Sequence, residues 1–490
     1  MIEVLWYITG VAVFIIAIFF SIALHELGHL LYAKKYGCRV STYMIGFGPT
    51  LFSFRPKKKL ADGTYVPGET EYGIKAIPLG GYVKIIGMMP PAPGADLESS
   101  MHEAKVEKVR RELEEAKLAT GLKNAETEHI LKMRRKNSGS FKAIAARSRQ
   151  VEFELIEPGD EGRLFYQLPA HRKMMVMFAG PAVNIVIAFA CFLGVYGIYG
   201  VHSTEATGST VITSVADCVI PEAAKRSSCQ AGDPESPAKQ AGIQVGDQIV
   251  AFNGQQTQTW AQLSELIRSN GTNDVVFTVL REGARIDLEP TPTVVKVRNV
   301  SADPNAPDVK AVGFVGISQP TQTTVTRHGP IYTMVQMGDM TVRSLESIAT
   351  LPGRVWNVAV AIVGQEQRDP EGPMSIVGGS RLAGEVAASQ IPGFDISAKS
   401  AMLALVIGSF NLFVGLFNLL PLLPLDGGHI FGAAWEGLRR KIAQWRGKTD
   451  PGFIDVAKQL PVAYCVIATF LVMSAVLFVG DILVPISMGL

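Results

Sequence analysis

Four long apolar runs dominate the pattern of hydrophobic and polar positions along the 490-residue chain. Each run could cross the hydrocarbon core of a bilayer as a helix, because about 20 apolar residues suffice for that. Between the runs, the chain either alternates apolar with polar residues over short stretches or becomes strongly charged. The runs cover residues 5–31, 174–199, 401–420 and 461–484. This pattern predicts a membrane α-helical core of four transmembrane helices.

Basic residues near the ends of these runs predict how the chain is oriented. Lys34 and Lys35 follow the first run, Arg172 and Lys173 precede the second, and several more lie between the third and fourth. Since Lys and Arg are retained on the cytoplasmic side, we expect both termini to be extracytoplasmic. The first run lacks the basic start and small-residue cleavage site of a signal peptide, so we expect it to be kept.

The segments between the runs differ in character. Short alternating stretches between Gly46 and Gly81 predict membrane-associated β-hairpins. A charged, helix-prone stretch at residues 97–136 predicts a cytoplasmic insert, which is either a solvated helix or an arm that binds a partner. The expected order is a first helix with the β region (1–90), a cytoplasmic linker with the insert (91–173), a second transmembrane helix (174–200), an extracytoplasmic region (201–350), an interfacial segment (351–400) and the last two transmembrane helices (401–490).

The extracytoplasmic region carries an ordered series of elements. Residues 238–249 predict a short helix, a tight glycine turn and a strand, and residues 260–269 predict an amphipathic helix that is followed by a strand at 275–280. This order resembles a bacterial PDZ domain, an α+β fold that binds an extended chain end at a sheet edge. Residues 313–317 resemble the carboxylate-holding loop of such domains, although an ordinary glycine-flanked strand has the same pattern.

The end of the first run carries the most specific chemical motif. His25-Glu26-Leu27-Gly28-His29 is an HExxH sequence, which places two imidazoles on one face of a helix where both can bind one zinc ion. Glu26 is then placed to act as general base on the metal-bound water. Ionisable residues are costly at this depth in a membrane, which favours a functional role for them.

A third zinc ligand is expected, because catalytic zinc sites usually have three protein ligands and one open position. The third run ends in a proline-rich break that is followed by Asp426. The first and third runs cross the membrane in the same direction, so Asp426 is predicted to reach the depth of the two histidines. His429 is a competing candidate, but a place at the start of the next helix or behind the ligands suits it better.

Together these motifs resemble those of the site-2 protease family of intramembrane zinc metalloproteases, in particular its RseP-type branch with a single PDZ domain, as in actinobacteria. The pattern consists of HExxH on a first helix, a following Gly-x-Gly, an outward PDZ domain, and Asn-x-x-Pro before Leu-Asp-Gly on a later helix. Residues 178–184 and 372–376 also resemble short sequence motifs at the corresponding places in that branch. The resemblance covers most of the chain outside the charged insert.

The resemblance implies an enzyme with Zn2+ as cofactor in a bacterial plasma membrane. Such an enzyme cleaves the transmembrane segments of single-pass proteins, for example anti-sigma factors after a first extracytoplasmic cut. Its active site would lie near the cytoplasmic face, and extended peptide ends would bind to the PDZ domain. The net charge of +2 gives no indication of a nucleic-acid partner.

The resemblance also implies roles for individual residues. His25, His29 and Asp426 would bind zinc, and Glu26 would activate water. The expected substrate-binding residues are an edge strand and a helix break, formed by Gly46, Phe47 and Gly48, and by Asn418, Pro421 and Pro424. Pro424 lies one residue later than the corresponding proline of the family motif, whereas Asn418 and Asp426 keep their separation.

The five cysteines suggest one disulfide. Cys218 and Cys229 both lie in the extracytoplasmic region, where the environment is oxidising, so a bond between them is a hypothesis. Cys191 and Cys465 lie within apolar runs, where a free cysteine packs as a small hydrophobic residue.

Three other functions fit parts of the pattern. A membrane adaptor with a PDZ domain and a merely structural metal site would have no need of Glu26. A membrane-tethered protease for soluble peptides is disfavoured by ligands at helix ends within apolar sequence. A transporter is disfavoured by the absence of internal sequence repeats and by the small number of apolar runs.

Overall fold

The computed structural model divides the chain into two compact units, Met1–Tyr199 with Arg327–Leu490, and Gly200–Thr326. The described residues are 2–59, 65–92, 94–119, 141–220, 229–230, 232–299, 309–364, 368–369, 372–391 and 394–486.

The first unit is mainly helical. Its helices, numbered along the whole chain, are α1 (Ile2–Lys35), α2 (Leu97–Ala119), α3 (Phe141–Phe153), α4 (Ala170–Gly194), α7 (Pro330–Ala349), α8 (Leu351–Ile362), α9 (Ile376–Ala388), α10 (Ile396–Asn418), α11 (Asp426–Trp445) and α12 (Leu460–Leu483). Within the described residues, four helical segments are long and apolar enough to cross a membrane: Ile2–Lys35, Ala170–Tyr199, Ile396–Asn418 and Val456–Leu483. They coincide with the four predicted runs.

Small residues allow these helices to approach one another closely. A Cβ added to Gly28 of α1 would lie 2.6 Å from the Ala179 carbonyl oxygen of α4. A Cβ added to Gly10 would lie 2.3 Å from the Ala383 carbonyl oxygen of α9. Contacts of this kind are typical of helix packing in membranes, where backbones approach through residues with little or no side chain. They bring α1 into direct backbone contact with both α4 and α9.

A polar pair joins α1 to α10 inside the helical bundle. Ser21 and Asn411 are only 3% and 1% exposed, and the Ser21 hydroxyl donates a hydrogen bond to the Asn411 amide oxygen. The Asn411 amide nitrogen donates to the Ile407 carbonyl oxygen of its own helix at 2.9 Å. Both ends of the buried amide therefore have partners, as an apolar environment requires.

The β region follows α1. Strand β1 (Val40–Phe54) pairs antiparallel with β4 (Glu71–Ile85), and the short strands β2 (Lys57–Lys59) and β3 (Tyr65–Pro67) pair between them. Because Thr42 faces both Lys84 and Glu71, the first part of β1 lies between two segments of β4. The Tyr43 hydroxyl donates to the Ala23 carbonyl oxygen at 2.7 Å, which holds this sheet against α1.

Helices α2 and α3 pack against the end of β4. Glu152 of α3 accepts hydrogen bonds from the backbone N–H groups of Gly87 and Met88, both at 2.9 Å. A small apolar cluster joins α2 and α3 to this segment, formed by Ile86, Met101, Ala104, Phe153, Ile156, Leu164 and Tyr166. The predicted insert helix is present as α2 up to Ala119, and the rest of the insert, residues 120–136, lies outside the described part of the chain.

The second unit combines short strands with helices α5 (Pro237–Gln240) and α6 (Trp260–Ser269). Helix α6 has the bounds that the sequence predicts, and the strand expected at 275–280 is divided between two short strands. The strands are β5 (Val201–Ala206), β6 (Ser214–Val215), β7 (Gln248–Phe252), β8 (Gln255–Gln256), β9 (Asp274–Val275), β10 (Phe277–Arg281), β11 (Ala284–Asp287), β12 (Thr291–Pro292), β13 (Val294–Asn299), β14 (Val309–Phe314), β15 (Ile317–Ser318) and β16 (Thr321–Thr326).

A four-stranded sheet with the order β11-β10-β7-β8 forms the centre of this unit, and all its neighbouring strands are antiparallel. Asn253 and Gly254 connect β7 to β8 with φ values of 48° and 78°, as a two-residue hairpin turn requires. Leu263 and Ile267 of α6 are buried in the core beneath the sheet. The pairs β12-β9, β13-β14, β15-β6 and β16-β5 complete the unit.

Residues 351–400, for which the sequence predicts an interfacial position, are mainly helical where the structure describes them. They form α8, α9 and the start of α10, and α9 packs on α1. Ser375 is the N-cap residue of α9. Its backbone N–H and its hydroxyl both donate to Asp481 of α12 at 2.6 Å. Gly378, Gly379 and Ala383 have small side chains or none, so α9 has little apolar surface. From the sequence alone, α9 therefore resembles a loop that connects two helices.

Candidate metal centre

Three side chains meet near the C-terminal end of α1. His25 and His29 lie one turn apart on α1, and Asp426 is the first residue of α11. The Nε2 atoms of the histidines are 3.2 Å apart, and each lies 3.3 Å from Asp426 Oδ2. Within the described ranges, these three side chains bring their nitrogen and oxygen atoms close enough together to hold a metal ion, all within 4.8 Å of one another. The structure thus brings together the three residues that the sequence singles out.

The spacing of the three donor atoms fits a tetrahedral zinc ion. Zinc binds imidazole nitrogen and carboxylate oxygen at about 2.0–2.1 Å, so two ligands of a tetrahedral ion lie about 3.3 Å apart. The observed separations of 3.2 and 3.3 Å match this geometry. Two histidine nitrogens and one carboxylate oxygen also leave a fourth position open, as in catalytic zinc sites.

A backbone carbonyl orients one of the two imidazoles. His29 Nδ1 lies 2.8 Å from the Val176 carbonyl oxygen of α4. Because a carbonyl oxygen can only accept, Nδ1 carries the proton and Nε2 keeps its lone pair for a metal. His25 Nδ1 is buried and has no hydrogen-bond partner among the residues that the structure describes. Protein hydrogen bonds therefore fix the tautomer of His29 but not that of His25.

Helix α4 approaches both imidazoles through a glycine. A Cβ added to Gly180 would lie 2.3 Å from His29 Nε2 and 2.7 Å from His25 Nε2. Real Cβ atoms do not come this close to other atoms, so both rings keep their positions only if residue 180 has no side chain. Gly180 belongs to the family string at residues 178–184, but nothing in that string reveals its contact with the histidines.

Glu26 contacts the β region. Its carboxylate interacts electrostatically with the Val83 backbone N–H of β4 and with His25, His29 and Asp426. A Cβ added to Gly81 would lie 3.1 Å from Glu26 Cγ, so β4 packs directly against this side chain. The carboxylate is therefore held between the three candidate ligands and a strand.

A break between α10 and α11 positions Asp426. Helix α10 ends at Asn418, and Pro421 and Pro424 are exposed in the connection that follows, which includes a cis peptide bond before Pro424. Burial alone would raise the pKa of the Asp426 carboxyl, but contacts with the two histidines hold that pKa below its ordinary value. Asp426 is therefore anionic, as a metal ligand must be.

His429 lies behind Asp426 and outside the triangle of donor atoms. It lines a small cavity together with Lys173 and Glu436. Burial lowers the pKa of His429, so its imidazole is neutral at pH 7. The buried pair formed by Lys173 and Glu436 is a feature that the sequence did not reveal.

The Gly46-Phe47-Gly48 segment lies within β1. Gly46 and Gly48 have φ values of 91° and 83°, a conformation that favours glycine. Phe47 is 47% exposed, and its partner in β4 is Ile77. The segment therefore presents an aromatic side chain at a bend of β1, and β4 already pairs with it on one side.

Cys218 and Cys229 form a disulfide in the second unit, with their Cα atoms 6.0 Å apart. The cysteines outside this pair, Cys38, Cys191 and Cys465, are free.

Comparison with known proteins identifies the family. The model of peptidase family M50 matches residues 13–450. The chain is 30% identical over 485 residues to zinc metalloprotease Rip1 of Mycolicibacterium smegmatis, and the match covers 98% of each chain. It is 28% identical over 496 residues to Rip1 of Mycobacterium tuberculosis, with 98% of this chain and 99% of that protein covered. It is 26% identical over 466 residues to the regulator of sigma-W protease RasP of Bacillus subtilis, with 92% and 95% covered. These matches confirm the resemblance to site-2 proteases, and the chain therefore belongs to peptidase family M50.

Proposed function

We propose that this chain is a zinc-dependent intramembrane endopeptidase that cleaves the transmembrane segments of single-pass membrane proteins. Membership of family M50 makes it a peptidase, and two of the relatives compared above are named zinc metalloproteases. The observation that carries the proposal is the triangle of His25 Nε2, His29 Nε2 and Asp426 Oδ2. This triangle lies near the end of a helix that is long and apolar enough to cross a membrane.

The residues of the site have distinct roles in this mechanism. His25, His29 and Asp426 would hold a zinc ion, which when bound would polarise the scissile carbonyl and lower the pKa of water. Glu26 accepts a proton from water while the water oxygen bonds to the carbonyl carbon. Glu26 then returns a proton to the amide nitrogen as the C–N bond breaks, which yields a carboxylic acid and an amine. The close packing of β4 at Gly81 limits the motion of the Glu26 side chain during both proton transfers.

The substrate must be extended where it is cut, because a peptide bond inside a helix is shielded by its own turn. Its freed N–H and C=O groups then need partners away from water. The contact between β4 and Glu26 supports the β region as that partner, since an added strand there would run beside the base. The substrate-binding residues in this proposal are Gly46, Phe47, Gly48, Asn418, Pro421 and Pro424.

The orientation of the chain and its substrate class are part of the same proposal. The Lys and Arg distribution supports extracytoplasmic termini and a metal centre near the cytoplasmic face. The bond between Cys218 and Cys229 supports an extracytoplasmic second unit. RasP is named a regulator of sigma-W protease, which supports membrane-bound anti-sigma factors as substrates. Labelling of single introduced cysteines from each side of the membrane tests the orientation, and labelling of the second unit only from the cytoplasm would overturn it.

The second unit is, in this proposal, a PDZ domain that binds extended chain ends. Its support is the order of α5, β7, the hairpin turn, α6 and β10. A Cβ added to Gly313 would lie 2.0 Å from the Ile267 carbonyl oxygen, so β14 packs on the end of α6. Ile317 and Ser318 then pair with β6. Residues 314–318 thus run between α6 and β6, as a carboxylate-holding loop and its strand would.

Binding of chain ends can be tested with peptides that carry either a free C-terminal carboxylate or a C-terminal amide. We expect the full-length protein to bind the free carboxylate about tenfold more tightly, because a charge-assisted hydrogen bond contributes about 1.5–3 kcal/mol. Fluorescence anisotropy of labelled peptides measures both affinities. Equal affinities for the two forms would exclude recognition of the chain end.

Metal dependence tests the enzymatic proposal. We expect the purified protein in detergent to cut a single-span substrate inside its apolar segment, with the cut site mapped by mass spectrometry. A zinc chelator should abolish cleavage, because three protein ligands hold the ion reversibly, and added Zn2+ should restore it. Cleavage that persists after zinc is removed would overturn the mechanism. Zinc-loaded protein that cuts none of several single-span substrates would favour the adaptor function.

A further inference from the structure

A buried ion pair links α4 to α11 beside the metal centre. Lys173 Nζ lies 2.9 and 3.0 Å from the two carboxylate oxygens of Glu436. Their side chains are only 6% and 4% exposed. The free energy lost when two charges are removed from water offsets much of the free energy gained from their attraction. Stabilisation of the fold is therefore a weak explanation for such a pair. The catalytic steps described above do not use it.

Each partner lies on a helix that shapes the metal centre. Lys173 precedes Val176, whose carbonyl oxygen accepts from His29, by one turn of α4, and it precedes Gly180 by two turns. Glu436 lies on the same side of α11 as Asp426, because positions i, i+3, i+7 and i+10 of a helix share one face. Helix α4 therefore contacts the histidine ligands, α11 supplies the third ligand, and the ion pair joins the two helices.

Small residues make the other buried contacts of α11. Its buried residues are Gly427, Gly428, Ala433 and Glu436. Most of its large apolar side chains are exposed, including Phe431, Trp435, Leu438 and Trp445, whereas Ile430 is half-buried and packs against the apolar cluster that contains Val176 of α4. The helix also begins without a side-chain cap. Apart from Ile430, large side chains therefore contribute little to the position of this helix, and the ion pair adds a directional buried contact with α4.

Neighbouring groups hold the Glu436 carboxylate in place. The Ile454 backbone N–H donates to Glu436 Oε2 at 3.3 Å, and Arg440 lies 3.5 Å from Oε1. The Phe453 ring lies 5.0 Å from Lys173 Nζ and 4.8 Å from the Arg440 guanidinium carbon. Both members of the ion pair are thus enclosed by protein groups, which limits their motion.

We propose that Lys173 and Glu436 are positioning residues of the metal centre, and that their ion pair holds α11 where Asp426 meets His25 and His29. The inference rests on the zinc-binding role proposed above. A zinc–oxygen bond of about 2.0 Å tolerates little displacement, so a shift of α11 by about 1 Å would remove Asp426 from the ion. The pair acts through Asp426 and does not touch the substrate.

The test measures metal binding directly in the purified full-length protein. Glu436→Gln and Lys173→Met remove one charge each, and we expect either variant to bind zinc about 10- to 100-fold more weakly in chelator competition. With Co2+ in place of zinc, their visible spectra should shift towards that of Asp426→Asn, which lacks the third ligand. Lys173→Arg, which can still pair with Glu436, should keep most of the affinity.

A second buried ion pair provides the matched control. Asp481 and Arg368 have side chains that are 1% and 5% exposed, and neither residue lies on α4 or α11. Asp481→Asn should lower the thermal stability but leave the zinc affinity and the Co2+ spectrum unchanged. Glu436→Gln and Lys173→Met variants that behave like this control would overturn the proposal and assign their pair to stability alone.

A double variant covers the case in which the single variants fail to fold. Lys173→Met with Glu436→Met replaces the pair by apolar groups, which is often neutral for stability. We expect this protein to fold but to bind zinc more weakly than the wild type. A contact between two methionine side chains is not directional, so it does not fix the position of α11. Wild-type zinc affinity in the double variant would overturn the inference. A wild-type protein that binds no zinc would instead contradict the proposed function.

Discussion

Replacing Glu26 by Gln is expected to abolish measurable peptide cleavage and to leave the zinc content unchanged. Gln has the size of Glu and fits the same space beside Gly81, but it cannot take a proton from water. General acid–base catalysis contributes about 10²- to 10⁴-fold, and Glu26 acts in both proton transfers, so a loss of at least about 10³-fold is expected. Initial rates of substrate cleavage and atomic absorption for zinc measure the two quantities.

The matched control for this variant is Glu112→Gln. Glu112 is an exposed carboxylate on α2 whose side chain lies 3.9 Å from Lys108, and its loss should not change the cleavage rate. A Glu26→Gln protein that cuts within tenfold of the wild-type rate would place the base elsewhere. Loss of zinc from that variant would show that Glu26 supports the ligands.

Replacing Gly180 by Ala is expected to weaken zinc binding about 10- to 100-fold. The added Cβ would occupy space 2.3 Å from His29 Nε2 and 2.7 Å from His25 Nε2, so either the rings or α4 must move. Overpacking of this kind typically costs about 1–3 kcal/mol, which corresponds to the expected loss of affinity. Chelator competition measures the zinc affinity, and cleavage should decrease in parallel at limiting zinc.

Gly194→Ala, on the same helix, separates this effect from the general effect of changing a glycine. A Cβ at position 194 meets no atom within 4 Å, so zinc affinity and cleavage should match those of the wild type. Equal zinc affinity in Gly180→Ala and Gly194→Ala would show that α4 does not restrict the imidazoles.

The long apolar helices and the cluster of His25, His29 and Asp426 could be predicted because their signals are local or set by the expected membrane depth. The length of an apolar run decides whether a helix can cross a bilayer, so all four spans were found within a few residues. The i, i+4 spacing of His25 and His29 places both rings on one face of any helix. Asp426 required one further step, namely that two runs crossing in the same direction end at the same depth.

The contacts that shape the metal centre could not be predicted, because they depend on how the helices cross. The carbonyl of Val176 is a group that every residue has, and only the position of α1 on α4 selects it for His29. Gly180 is one of 48 glycines in the chain, and its role follows from the same crossing. Lys173 and Glu436 are 263 positions apart, and Lys173 reads in the sequence as an orientation signal at the membrane surface.

The hydrogen bond between Ser21 and Asn411 favours one rotation of α1 about its own axis. A uniformly apolar helix could turn about its axis within a bilayer with little change in free energy. A turn by one residue, about 100°, would separate Ser21 from Asn411 and leave two buried polar groups without partners. Ser21 lies one turn before His25, so the rotation of α1 that pairs Ser21 with Asn411 also directs both histidines towards Asp426. A rotation of α1 relative to α10 would therefore break this hydrogen bond and turn both histidines away from Asp426.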